Sequence, residues 1–371
     1  MNAKQVGTLT HSFSTGAYTS TEHVQEVLRA LGSEKTNAVI ALRESEALSE
    51  AQAATARYRA GKPLSALDGV ALAIKDNILI QGQEITAASN VLKGTISPYD
   101  ATVVKKLKAA GAVIVARTNL DEFAMGSSTE NSAFGPVKNP HDPSRIPGGS
   151  SGGSASLVAA GIVPAALGSD TGGSIRQPAA FCGVIGFKPT YGSVSRFGLV
   201  ALTSSYDVIG PFARTVSDIE LLYSVIKGKD EFDATSRDYP EVNHPIKTIG
   251  IPTGWDLEKT LGKEEKARFH EAQKRLKELG FRLVAVQLPD PKLTLAIYYV
   301  ITPVEAASNL ARYDGIRYGY TTGQHVATLR ERYMHTRAQG FGREVKRRIF
   351  VGSFASSAGY QEAYYKQALK V

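Results

Sequence analysis

Two Ser/Gly-rich loops, Gly148-Gly149-Ser150-Ser151-Gly152-Gly153-Ser154 and Gly168-Ser169-Asp170-Thr171-Gly172-Gly173-Ser174, lie one short helix apart, and Lys75 stands alone at the end of an apolar run. Together they offer a nucleophile, a proton relay and a base, none of them a histidine. An amide is a poor electrophile. Its cleavage near neutral pH needs an activated nucleophile and donors for the developing oxyanion. Ser174 follows Thr171-Gly172-Gly173, where paired glycines allow a tight turn and close approach of the backbone to a substrate. A helix expected from Ile175 would leave its first N–H groups unpaired beside that hydroxyl. Phosphate binding at a Gly-rich helix start is the competing reading. Neither G-x-x-x-x-G-K-[ST] nor G-x-G-x-x-G in a βαβ setting accompanies it. Ser150 and Ser151 alone read equally well as cap and turn residues. Lys75 shifts the balance: it ends a strand of the kind buried on both faces, where desolvation lowers an amine toward neutrality and makes it a general base. The seven histidines lie in no catalytic motif and read as surface or packing residues.

Alternating elements must position these groups. Thr21 can cap a helix over Glu22–Ala30, and Glu46–Arg59 is helical up to Gly61. Val70–Ile74 and Ala112–Ala116 are continuous apolar runs, as in strands covered on both sides. Between them Ala101–Ala110 reads as a helix closed by Gly111. Ser151–Ala160 is a helix with a glycine-rich start, Ile162–Leu167 a strand, and Ile175–Cys182 a further helix. Lys247–Ile251, Glu264–Leu279 and Phe281–Val286 repeat strand, helix, strand. The class is α/β, an open and mostly parallel or mixed sheet covered by helices. No Pro/Ser-rich linker divides the chain, and the polar Gly228–His244 reads as a surface excursion, so residues 1–371 are expected to form a single domain.

Composition excludes several classes. With 371 residues, 43% of them hydrophobic, the chain can bury a large core. One cysteine, Cys182, forbids an internal disulfide framework and fits a reducing cytoplasm. Met1–Tyr18 lacks an apolar h-region, so no signal peptide is expected, and the longest apolar stretch, Leu157–Leu167, is too short to span a bilayer. The net charge of +8 is spread out, and its densest cluster, Arg343–Arg348, contains Glu344. Charge alone gives no footprint for RNA. No metal-ligand spacing is present.

The segments Gly148–Ser154, Gly168–Ala179 and Gly186-Phe187-Lys188-Pro189-Thr190, at their spacing from Lys75, resemble the amidase signature family of serine hydrolases. The resemblance implies a twisted mixed β-sheet covered by helices on both faces. It also implies a Ser–cis-Ser–Lys triad: Ser174 as nucleophile, Ser150 as relay through a cis Gly149–Ser150 peptide, Lys75 as base. Backbone N–H groups around Thr171, Gly172 and Gly173 would hold the oxyanion, with Asp170 and Ser151 supporting the loops. Asn119–Ser127, Gly192–Leu199, Tyr298–Ile301, Glu305–Gly319 and Phe341–Ile349 extend the similarity to the branch formed by A subunits of aspartyl/glutamyl-tRNA amidotransferases. That branch implies release of ammonia from glutamine and a heterotrimer with B and C subunits. ATP and Mg would act on a partner subunit, which also receives the mischarged tRNA. Arg348 matches the position that binds glutamine's α-carboxylate, a task suited to a guanidinium, and Tyr298 matches a pocket residue. Arg348 also reads as an exposed member of Lys346-Arg347-Arg348. The chain stops at Val371, short of the family's C-terminal part and of the acidic residue that reads the α-amino group. A stand-alone amidase for another carboxamide and a non-catalytic interaction subunit are the alternatives.

Overall fold

The computed structural model describes residues 5–240 and 245–371, without the side chain of Glu258. The first four residues of the Met1–Tyr18 segment, and His244 at the end of the Gly228–His244 stretch, lie outside the described residues. The strands are β1 (Val39–Leu42), β2 (Ala71–Lys75), β3 (Val113–Thr118), β4 (Ala165–Asp170), β5 (Ile185–Gly186), β6 (Val208–Ala213), β7 (Thr248–Thr253) and β8 (Arg282–Gln287). The helices are α1 (Val6–Thr15), α2 (Ser20–Gly32), α3 (Glu44–Arg59), α4 (Thr102–Ala109), α5 (Gly152–Ala159), α6 (Arg176–Cys182), α7 (Val216–Ile226), α8 (Leu257–Thr260), α9 (Lys263–Glu278), α10 (Pro291–Leu310), α11 (Leu329–Gly340), α12 (Arg343–Ala355) and α13 (Tyr365–Lys370). Contacts group the chain into two compact units, one of residues 1–239 and 303–354, the other of 240–302 and 355–371.

The larger unit holds a six-stranded sheet in the order β1-β3-β2-β4-β6-β5. β2 runs parallel to both β3 and β4, whereas β1, β6 and β5 pair antiparallel, so the sheet is mixed. Every residue of β2, β3, β4 and β6 is buried, because helices cover both faces. On one face, Leu72, Ile74 and Leu167 pack with Val6, Leu9 and Phe13 of α1, Leu107 of α4 and Leu222 of α7. On the other, Ala71, Ala73, Ala166 and Phe212 pack with residues of α2, α3, α5 and α6. A third cluster joins Phe123 and Met125 to Leu310, Tyr313, Phe341 and Val345. In the smaller unit, β7 pairs parallel with β8, and the intervening α9 has no buried residue.

Some expected boundaries moved, for local reasons. α2 is capped by Thr19, not Thr21: Thr19 and Glu22 form a reciprocal capping box, and the Thr21 hydroxyl meets Thr55 at 2.9 Å. The strand expected at Ile162–Leu167 runs from Ala165 to Asp170, because Pro164 has no N–H for the ladder. β6 is unsigned in the sequence because Gly210-Pro211 interrupts it, yet Pro211 pairs with Leu167. No helix among the described residues is long and apolar enough to cross a membrane.

Candidate active site

Lys75 is the last residue of β2, and β4 lies beside it in parallel register, Ile74 opposite Leu167. The two strands therefore end at the same edge, and the loop after β4 carries Thr171 to Ser174 there. The Lys75 side chain is wholly buried. Its Nζ lies 2.8 Å from Ser150 Oγ, 2.8 Å from Ser151 Oγ and 2.9 Å from Ser169 Oγ. Burial pulls its pKa down to about 7, against the attraction of Asp121, Asp170 and Asp207, which resists the fall. A neutral amine in this place needs one hydroxyl proton directed at its lone pair. Ser151 Oγ–H donates to Ser169 C=O at 3.1 Å, which commits its proton, whereas Ser169 Oγ accepts from Asn77 Nδ2 at 2.9 Å and keeps its own proton. The hydroxyl of Ser150 makes no other hydrogen bond among the described residues, which leaves its proton available to Lys75.

The Gly149–Ser150 peptide is cis. Its surroundings are closely built: Ser150 C=O accepts Asp121 N–H at 3.2 Å, and Gly149 N–H donates to Gln177 Oε1 at 2.9 Å. A Cβ on Gly149 would sit 2.3 Å from Asp121 Oδ2, so only glycine fits. Asp121 is held in turn by the N–H groups of Thr129 and Asn131. Burial raises its carboxyl above the usual range.

Ser174 is 9% exposed, and its C=O accepts Ser151 N–H at 3.3 Å, which ties the two loops together. Among the described residues no hydrogen bond joins its hydroxyl to that of Ser150, so the contact that a relay between them would need is not made in this state. Catalytic hydrogen bonds of this sort commonly close only with substrate in place. The loop around Ser174 is organised by Asp170. Its Oδ1 accepts Gly173 N–H at 2.7 Å, its Oδ2 accepts Ile175 N–H at 3.1 Å, and both oxygens meet the Arg176 guanidinium at 3.0 Å. Burial acts to raise the Asp170 carboxyl, but Arg176 and these N–H donors outweigh it and hold it below the usual carboxylate range. The Gly173 N–H is thus turned to Asp170 and away from any oxyanion. The N–H groups of Thr171, Gly172 and Ser174 donate to no protein acceptor among the described residues. Thr171 Oγ1 donates to Asp207 Oδ1 at 2.6 Å, and burial pushes that carboxyl up to about 6.

The expected residues are therefore divided. Lys75 and Ser150 touch directly, and the loop of Ser174 is bonded to the loop of Ser150. Arg348 is buried on α12, not exposed in its basic run, and its Nε meets Glu344 Oε1 at 2.8 Å. Tyr298 lies on α10 in the smaller unit, its ring against Tyr299. Ser169, which contacts Lys75 directly, lies within the second Ser/Gly-rich loop without a role having been read for it, and Asn77, which reaches Lys75 through Ser169, carries no signal in the sequence beyond its place two residues after Lys75. Among the described residues no three His, Cys, Asp or Glu side chains are grouped to hold a metal ion.

A family model described as Amidase matches residues 22–371. The chain belongs to the amidase family. Among its relatives is the A subunit of glutamyl-tRNA(Gln) amidotransferase from Carboxydothermus hydrogenoformans, 53% identical over 345 residues that make up 91% of this chain and 71% of the relative. The protein of the same name from Fusobacterium nucleatum is 50% identical over 346 residues, with the same two shares. Of solved structures in the family, the glutamyl-tRNA(Gln) amidotransferase A subunit of Thermotoga maritima superposes with a TM-score of 0.73 at 42% identity, over 95% of this chain and 71% of that one. The peptide amidase of Stenotrophomonas maltophilia gives a TM-score of 0.82 at 30% identity, over 97% and 78%. The mixed sheet with helices on both faces is the fold of this family, as the motifs implied.

Proposed function

We propose that this amidase is the glutamine-hydrolysing subunit of a tRNA-dependent amidotransferase at work in the cytoplasm. The observation that carries the proposal is the buried Lys75, its pKa near 7, in hydrogen-bond contact with Ser150 on the loop that Ser174 ties down. The relatives at about half identity, named as A subunits of glutamyl-tRNA(Gln) amidotransferase, support glutamine as the amide that is hydrolysed.

In this reading Ser174 Oγ attacks the side-chain carboxamide of glutamine. Its proton passes to Ser150 while Ser150 gives its own to Lys75. The N–H groups of Thr171, Gly172 and Ser174 receive the oxyanion. The C–N bond then breaks, ammonia leaves with the proton returned through Ser150, and a glutamyl ester remains on Ser174. Water, deprotonated along the same path, cleaves the ester to glutamate. Arg348 would bind the α-carboxylate. Ammonia would pass to a B subunit, which uses ATP and Mg to activate glutamate on Glu-tRNA(Gln), with a small C subunit holding the two together.

The test is release of ammonia from glutamine, with covalent capture of Ser174 by an electrophilic glutamine analogue. Ammonia release and a Ser174 adduct are expected. Turnover of bulky apolar amides with none of glutamine would favour the second reading, a stand-alone amidase.

A further inference from the structure

Asp121, Glu122 and Phe123 follow one another on the loop after β3, and each grips a different part of the larger unit. Asp121 N–H holds the Ser150 carbonyl. The Phe123 ring packs against Phe341 at 5.8 Å and Tyr313 at 5.1 Å. Between them Glu122 is 3% exposed and takes no part in the proton relay. Its Oε2 and Oε1 accept Gly342 N–H at 2.9 and 3.1 Å, and the Ser89 hydroxyl donates to Oε1. Ser89 in turn lies 3.3 Å from the Gly340 carbonyl. A Cβ on Gly342 would stand 2.2 Å from Glu122 Oε2, so the backbone there is as close as glycine permits.

Gly342 is the residue before α12, and α12 carries Arg348. Six residues of helix rise about 9 Å as one rigid piece. Displacement of the helix start therefore reaches Arg348 undiminished. Keeping a carboxylate at Glu122 is costly. Burial pushes its pKa up to about 7, against the Ser89 hydroxyl, the Gly342 N–H and the Lys346 charge. A packing residue alone would not call for an acid here.

We propose that Glu122 is a positioning residue for substrate binding: by holding Gly342 it sets the start of α12, and with it the depth at which the Arg348 guanidinium meets the substrate carboxylate. This rests on the reading of Arg348 given above, and it joins the substrate-binding helix to the loop that carries Ser150.

The experiment measures glutamine affinity by calorimetry in the full chain carrying Ser174→Ala, so that no turnover intervenes. Adding Glu122→Ala should weaken binding about tenfold, the equivalent of roughly 1.4 kcal/mol. Glu122→Gln should recover most of that, because its carbonyl still accepts the Gly342 N–H. Arg348→Ala should weaken binding more, and Glu122→Ala should add nothing further on that background. With Ser174 intact, Glu122→Ala should raise KM and leave kcat unchanged. Full additivity of the two substitutions, or an equal loss of kcat, would make Glu122 merely structural and overturn the inference. Should Glu122→Ala fail to fold, Glu122→Asp draws the carboxylate back by one methylene; unchanged affinity in that variant is equally fatal. A parent that binds no glutamine would sink the proposed function itself. A parent that binds while Arg348→Ala matches it would remove the role of Arg348, and the inference with it.

Discussion

In the proposed mechanism Lys75 serves as the base because its surroundings are dry, and a pH profile tests this directly. Below about pH 7 the amine is charged and has no lone pair for the Ser150 proton. We expect kcat/KM for glutamine to rise as pH increases through about 7 and then level. A profile flat from pH 6 to 8 would assign the base elsewhere. Lys75→Ala should cut kcat by about 10²–10⁴-fold, the usual weight of a general base. The same burial has a stability consequence with a definite sign. An unfolded lysine keeps its proton up to about 10.5, the folded one only to about 7. Between these values the unfolded chain binds the extra proton, so the contribution of Lys75 to stability grows as pH rises from about 7 to 10.5. Chemical denaturation of the parent and Lys75→Met at pH 7 and 9 should show the parent gaining on the variant at the higher pH. Ser174→Ala should abolish hydrolysis and leave the melting temperature unchanged, since the hydroxyl makes no hydrogen bond to the protein among the described residues.

At the scale of elements, the catalytic loops keep their shape through close contacts and carboxylates, not through regular structure. Gly149→Ala would drive a methyl into Asp121, and such overpacking costs roughly 1–3 kcal/mol. We expect it to lower both the melting temperature and kcat. Asp170→Ala would strand the N–H groups of Gly173 and Ile175, at about 1–3 kcal/mol for each left buried without an acceptor. It would also free Gly173 to turn, so activity should fall further than stability does. Denaturant titration set beside kcat separates the two effects; a loss of stability with full activity would show that the Asp170 frame is not needed for catalysis. Much of this level is legible in the sequence. The apolar runs at 70–74 and 112–116 marked β2 and β3, and Gly148–Ser154 marked the loop before α5 together with the glycine-rich first turn of that helix. The start of β4 and all of β6 were not legible, because prolines at 164 and 211 mask strands whose partners lie elsewhere in the chain.

For the whole molecule, the proposed assembly makes a separable demand. In the complex with B and C subunits, Ser174→Ala should end glutamine-dependent amidation of Glu-tRNA(Gln) but spare the reaction driven by added ammonia. Equal loss of both would mean that this chain does more than supply ammonia. The fold shows how distant parts are made to cooperate. β2 and β4 lie side by side in parallel, so Lys75 and the loop of Ser174 share one edge although α4, β3 and α5 intervene between them in the chain.

Residue types and local spacing sufficed to single out Lys75, Ser150 and Ser174 as candidates for a base, a relay and a nucleophile, because Gly-Gly-Ser loops and a lone lysine after an apolar run have few other uses together. They also sufficed for the sheet class and its helical cover, since patterning by burial is local. Only the tertiary structure decided that Ser151 and Ser169 also bond Lys75, that Gly173 N–H belongs to Asp170, that Arg348 is buried, and that Glu122 binds the start of α12. Those facts depend on which groups meet across long separations, and on how completely water is excluded where they meet. Desolvation, the cause of the low pKa of Lys75, is set by neighbours in space and not by neighbours in the chain.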